Sequence, residues 1–448
     1  MSDLAAVRRV ARWLMPLIGI ASLLGGSVFW LRRVGWLQAE KYWYDNAELA
    51  ARAPESSDPL GSYWFVMQHH ASLHQIEGWW YLTKFTKEAV LASFLALAVF
   101  SLLRFRPARP FRWACAGVFA LGLVSAMGAA LGAQWMALAG GVRGFASWLI
   151  GRGAAAWVDE DLRRRLARVC AWVLFAQLPL AAVELLRGIP VYVARFFGHE
   201  IVRIVGSFNL PISLGSFAVV AWTAMQCWSG YSRRTLGLAT SALVLLLFFN
   251  ASATAWIAFV AALCTQAVMK RRRDPQRHSQ QPGYRGLRAA MLAMSLPLIL
   301  AGWLSLPVLT GRADVHDSLW GRIAPVQIYA SEHLTTQEML FGTGFGLGTN
   351  ALGRADMRQR RDPNALPDRP VGDSMPAALF WQIGLVGLAL VYALFALALR
   401  ADARSRPIGI ALLVCSVGVN ITELFPVNLL LGFWLASAMR ARGGDAAA

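Results

Sequence analysis

Met375-Pro-Ala-Ala-Leu-Phe-Trp-Gln-Ile-Gly-Leu-Val-Gly-Leu-Ala-Leu-Val-Tyr-Ala-Leu-Phe-Ala-Leu-Ala-Leu399 runs without a single charge and stops at Arg400. About 20 apolar residues in a helix cross the hydrocarbon core of a bilayer, so this stretch alone reads as a membrane span closed by a basic residue. The pattern recurs through the whole chain. Of the 448 residues, 57% are hydrophobic and 15% charged, and the mean hydropathy is +0.46. Soluble domains carry about a quarter charged residues, so a soluble globular protein is excluded. Twelve candidate spans follow: 13–31, 86–103, 113–132, 135–151, 169–187, 213–229, 235–250, 253–269, 289–308, 375–399, 408–423 and 426–439. No polar block is large enough to form a separate domain, so the expected fold is all-α, a single integral membrane domain over 1–448.

The net charge of +18 suggests nucleic acid at first sight, but the basic residues sit in short clusters between apolar runs. These are Arg8/Arg9/Arg12, Arg104/Arg106/Arg109/Arg112, Arg163/Arg164/Arg165/Arg168, Arg233/Arg234, Lys270 to Arg273 with Arg277, Arg285 and Arg288, Arg400/Arg404/Arg406, and Arg440/Arg442. With twelve spans every cluster falls on one side, which the positive-inside rule makes the cytoplasm, with both termini there. Nucleic acid is therefore not an expected partner; the lipid bilayer is. The N-terminal apolar stretch has no small-residue cleavage site before Arg32 and reads as a retained helix. Cys115, Cys170, Cys227, Cys264 and Cys415 lie in or at the rim of apolar runs without a CxxC pair, which suggests neither a zinc site nor a disulfide framework.

Segments 32–85, 188–212 and 309–374 remain on the far side. The last, between the ninth and tenth spans, is long for a connection, and loops of that length are functional or disordered. It is expected to be helical in part and to lie over the active site. It holds an amphipathic piece from Leu319 to Glu332, the run Phe341-Gly-Thr-Gly-Phe-Gly-Leu-Gly348, and a basic stretch ending at Asp373. As a nucleotide fingerprint the glycine run lacks a preceding strand, a following helix and a cytoplasmic address. Gly344 and Gly346 instead permit close backbone approach to a substrate, or shape the loop.

Far-side loops are expected to be poor in arginine, yet Arg195, Arg203, Arg312, Arg322 and five arginines from Arg354 to Arg369 lie there. A solvated basic loop accounts for the last five. Arg203 and Arg322 have apolar neighbours and need a partner: a carboxylate such as Glu200 or Glu184, or a ligand phosphate, which the planar guanidinium suits. Asp373 precedes Ser374 and Pro376, a standard helix start; a carboxylate there also suits a general base toward a hydroxyl. His70 and His74 stand four apart but have no matching acidic or cysteine ligand, so no metal is expected. Arg143, Glu184, Asn250, Gln382, Asn420 and Glu423 fall inside apolar runs. Inserting a charge at such depth costs about 2.5–3.5 kcal/mol, so these residues must face a cavity or a partner.

The order of features from about 140 to 400 resembles the O-antigen ligase and Wzy-type polymerase superfamily. It comprises a far-side Arg203-x-x-Gly206-Ser207-Phe208-Asn209-x-Pro211, a tight helix pair around Asn250-Ala-Ser-Ala-Thr-Ala-Trp256, the glycine run in a long external loop, and Asp373-Ser374 opening a helix through Gln382-Ile-Gly-Leu-Val-Gly387. The resemblance implies a GT-C-like glycosyltransferase of the bacterial inner membrane with its active site facing the periplasm. Its donor would be an undecaprenyl-diphosphate-linked oligosaccharide and its acceptor a glycan, with polysaccharide export or chain-length proteins as further partners. The transfer would be inverting, with no metal or other cofactor. Arg203 and Asp373 would be catalytic, and Arg322, Arg195, Asn209, Gly344, Gly346, His333 and Glu338 would bind substrate. Ligases of this family show His where Asp373-Ser374 stands, and many members show Ser-Arg where this chain has Ser252-Ala253. The competing expectations are a ligase transferring glycan to a lipid acceptor, a twelve-helix transporter, and a scaffold of an export complex.

Overall fold

The structure, a computed structural model, describes residues 2–45, 71–103, 108–131, 135–187, 193–196, 199–208, 210–273, 326–327, 330–344, 346 and 374–444. These are predominantly helical. In chain order they form α1 (Ser2–Asp45), α2 (Ala71–Ser101), α3 (Arg109–Leu131), α4 (Trp135–Ala154), α5 (Glu160–Arg187), β1 (Val193–Phe196), β2 (His199–Val202), α6 (Pro211–Trp228), α7 (Arg233–Asn250), α8 (Ala253–Arg273), α9 (Thr336–Phe341), α10 (Met375–Ala401), α11 (Arg406–Gly418) and α12 (Val427–Gly444). Among the described residues, three helices are long and apolar enough to cross a membrane: 109–127 in α3, 160–186 in α5 and 375–401 in α10. The expected span 289–308 lies outside the described residues.

Two details depart from the sequence reading. α1 continues well past 31 to Asp45 and α2 starts at Ala71, because polar residues end an apolar run without ending the backbone hydrogen bonding of a helix. Val193–Phe196 and His199–Val202 also form a short antiparallel pair, with Arg195 opposite Glu200, within an otherwise helical fold. β-branched and aromatic residues on both sides of Gly198 favour this pairing.

The core lies where α4 and α12 approach. A Cβ at Gly432 would sit 3.0 Å from the Ser147 carbonyl, and one at Gly151 2.9 Å from Leu435. Small residues at such crossings let backbones close up. Around this seam Phe433 meets Phe94 and Trp157 edge-on at 5.4 and 5.9 Å, and Trp434 lies 5.3 Å from Phe395.

At one end of the bundle, basic clusters far apart in sequence converge on three acids. Arg12 Nε lies 3.0 Å from Asp161, Arg8 Nε 3.9 Å from Asp159, and Arg404 Nη1 3.8 Å from Glu160. Arg163 donates to Ser437 Oγ at 3.0 Å, Ser437 to Asp402 at 3.2 Å, and Arg440 to the Val158 carbonyl. α5 links this end to the other: the rise from Arg163 to Glu184 is about 31 Å, close to the hydrocarbon thickness of a bilayer.

Candidate active site

At the far end of α5 the chain leaves β2, makes an irregular passage from Arg203 to Phe208 and enters α6 at Pro211, whose missing N–H suits a first helical position. Buried polar side chains hold this passage by its backbone. Glu184 Oε2 accepts from the N–H groups of Val205 and Gly206 at 2.9 and 3.0 Å. One turn pair earlier on α5, Gln177 Oε1 accepts from Ser207 N–H at 2.8 Å, and its amide donates to Ser207 Oγ at 3.0 Å. Gly206 has φ +55°, and a Cβ there would collide with Gln177 Oε1; both facts require glycine. From α7, the Asn250 amide donates to the carbonyls of Ile204 and Pro211.

Arg203 sits on this clamp, half-buried, with Nε donating to the Asn250 carbonyl at 2.9 Å. That bond orients the guanidinium plane, and a planar guanidinium suits the paired oxygens of a phosphate. Glu184, one of the two carboxylates named as partners, also holds the backbone of 205 and 206, and Glu200 stands in register opposite Arg195.

A second group of candidates surrounds α10. Its helix breaks at Gly384, with φ +65° and ψ −170°; this backbone conformation is open to glycine. The break releases carbonyls from the helix ladder, and neighbouring segments pair with them. Thr343 N–H and Oγ1 donate to the Trp381 carbonyl at 2.8 and 3.0 Å, and Ser125 Oγ donates to the Gln382 carbonyl at 3.1 Å. Gly346 N–H donates to Gln382 Oε1 at 3.2 Å. Gly342 packs against the backbone of Gln382 and Ile383 so closely that a Cβ would collide, as would one at Gly384 with the Leu340 carbonyl. Half-buried Gly344 lies in the docked turn, and Gly346 N–H pairs with protein.

Ser374, not Asp373, is the N-cap of α10, its Oγ accepting from Ala377 N–H. Glu338 closes a capping box with Thr335, accepting from its N–H and Oγ1 at 2.9 and 2.8 Å. His333 has an exposed side chain 4.0 Å from Glu332. Arg195 lies in β1. Asp373, Arg322 and Asn209 lie outside the described residues.

The remaining charged and polar groups of the expected spans pair with one another, with Asn420, Thr422 and Glu423 in the non-helical link 419–426 between α11 and α12. Arg143 Nε pairs with Glu88 at 2.9 Å and Nη2 donates to the Glu423 carbonyl at 3.2 Å. Asn420 accepts from Thr422 Oγ1 at 2.7 Å and donates to Glu423 Oε1 at 3.1 Å. These contacts supply the compensation that intramembrane charge requires. Sequence reasoning missed Gln177, whose signal was present: a second polar residue seven before Glu184, on the same face of α5. Among the described residues, no group of three or more His, Cys, Asp or Glu is placed to hold a metal ion. No protein-family model matches the chain, and no curated protein sequence matches it.

Proposed function

We propose that the chain is an inner-membrane glycosyltransferase that polymerises undecaprenyl-diphosphate-linked oligosaccharide repeats into a surface or exopolysaccharide. The observation that carries the reading is Arg203. It is a half-buried guanidinium, oriented by the Asn250 carbonyl on a backbone clamped by Glu184 and Gln177, at the end of the bundle away from the paired basic clusters. Such an arginine suits a diphosphate that gains charge as it departs. In the proposed step an acceptor sugar hydroxyl attacks the anomeric carbon from the face opposite the diphosphate. The new C–O bond forms as the bond to the phosphate oxygen breaks, Asp373 takes the hydroxyl proton, and undecaprenyl diphosphate leaves against Arg203. The anomeric configuration inverts.

The breaks in α10 and at 419–426 also favour a second reading, because transporters bind substrates at discontinuous helices. In α10, however, Thr343 and Ser125 occupy the released carbonyls, which favours the transferase. Purified protein incubated with a lipid-linked repeat unit is expected to yield a ladder of products. It should do so in EDTA as well, since arginine supplies the positive charge at the leaving group. A single transfer product would identify a ligase, no product would sink the transferase reading, and activity lost in EDTA but restored by Mg²⁺ or Mn²⁺ would overturn metal independence.

Twelve spans with 309–374 in the periplasm are part of the proposal, supported by the convergence of basic clusters at one end of the bundle. A reporter active only after export is expected to work when fused after Asn350. Activity there of a reporter that functions only in the cytoplasm would overturn the topology.

A further inference from the structure

On the outer side of α6 and α7, at the end where the basic clusters meet, two cavities of about 440 and 430 Å³ run into each other at Thr240. The first is lined by Gln226, Arg233, Leu236 and Gly237. The second continues along α7 past Ser241, Val244, Leu245 and Phe248, of which Leu245 and Phe248 are 51% and 60% exposed. No heavy atom lies within 4 Å of where a Cβ on Gly237 would be, so the missing side chain widens the groove.

Charge sets the two ends apart. Arg8, Arg12, Arg163, Arg164, Arg165 and Arg404 each face Asp159, Glu160 or Asp161. Arg233 and Arg234 are exposed and form no ion pair among the described residues. The groove thus begins at the Arg233 guanidinium, with exposed Arg234 next to it in the chain, and ends in apolar side chains. The rise from Arg233 to Phe248 is about 22 Å, roughly one leaflet with its headgroups. Basic pockets between helices on the cytoplasmic side are suited to anionic headgroups.

We propose that this groove holds one anionic phospholipid of the leaflet on that side, its phosphate against Arg233 and Arg234 and one acyl chain along α7 from Gly237 to Phe248. The site is separate from the Arg203 clamp and does not depend on the transferase reading.

Full-length protein is reconstituted in equimolar phosphatidylglycerol and phosphatidylcholine, extracted, and examined by native mass spectrometry for retained lipid. The expected result is one phosphatidylglycerol retained in preference to phosphatidylcholine. Each arginine near an anionic lipid contributes about a fivefold preference, so R233Q/R234Q is expected to lower phosphatidylglycerol retention about 20-fold, with thermal unfolding unchanged. G237W should displace the chain with both arginines intact; if that variant misfolds, R233Q/R234Q decides alone. Equal retention of the two lipids by the unaltered protein, or undiminished retention by R233Q/R234Q, would overturn the proposal. Equal thermal protection by inorganic phosphate would overturn it too, because the apolar groove would then contribute nothing.

Discussion

Arg203→Lys is expected to lower polymer formation about 10- to 100-fold per folded protein while leaving the amount of folded protein unchanged. The ammonium keeps the charge and can still donate to the Asn250 carbonyl, which the native Nε reaches at 2.9 Å. It does not reproduce the parallel donors of a planar guanidinium. Hydrogen bonds involving a charged group contribute about 1.5–3 kcal/mol, and about 1.4 kcal/mol is a factor of ten. Binding of the lipid-linked donor, measured separately, should fall less than turnover, because the diphosphate gains charge as it leaves. A purely structural Arg203, serving only to staple the loop to α7, predicts the opposite: a near-normal lysine variant. Full activity of Arg203→Lys would therefore remove this residue from the chemistry.

Asp373→Asn is expected to lower transfer by about 10²–10⁴, the range that general-base assistance contributes. Two explanations compete for this carboxylate, a helix cap and a base. Ser374 is the cap, with its hydroxyl on Ala377 N–H, so an amide at 373 should not weaken the helix. Thermal unfolding of the variant should match the parent, and donor binding should persist. Activity at equal expression would leave Asp373 without a catalytic part. His333, whose side chain is exposed, would then be tested as the base ahead of Glu338, which is engaged in its capping box with Thr335.

The helices were legible because an uninterrupted apolar run has few other ways to satisfy its backbone in lipid. Their ends were less so: nothing in the composition around Arg32 stops α1 before Asp45. Within the site, the sequence marked Arg203, Glu184, Asn250 and Gln382 as polar groups in apolar surroundings, and each does have protein partners. It could not assign those partners, since hydrogen bonds between residues 21 to 47 positions apart follow from helix packing. Glu184 was considered only as a counter-charge for Arg203, and the sequence did not show that its Oε2 also binds two peptide N–H groups. The break at Gly384 was illegible for a related reason. Gly384 in an apolar run is compatible with a continuous helix, and only the docking of Gly342 and Thr343 gives the break its hydrogen-bond partners.

That dependence bears on how the region can be exchanged between proteins. Inside a membrane bundle an unsatisfied peptide carbonyl costs several kcal/mol, and in α10 the donor to the Trp381 carbonyl comes from a loop made earlier in the chain. A chimaera that transplants the segment around Thr343 without α10, or α10 without that segment, parts the carbonyl from its donor. The two therefore behave as one unit of inheritance and must be grafted together.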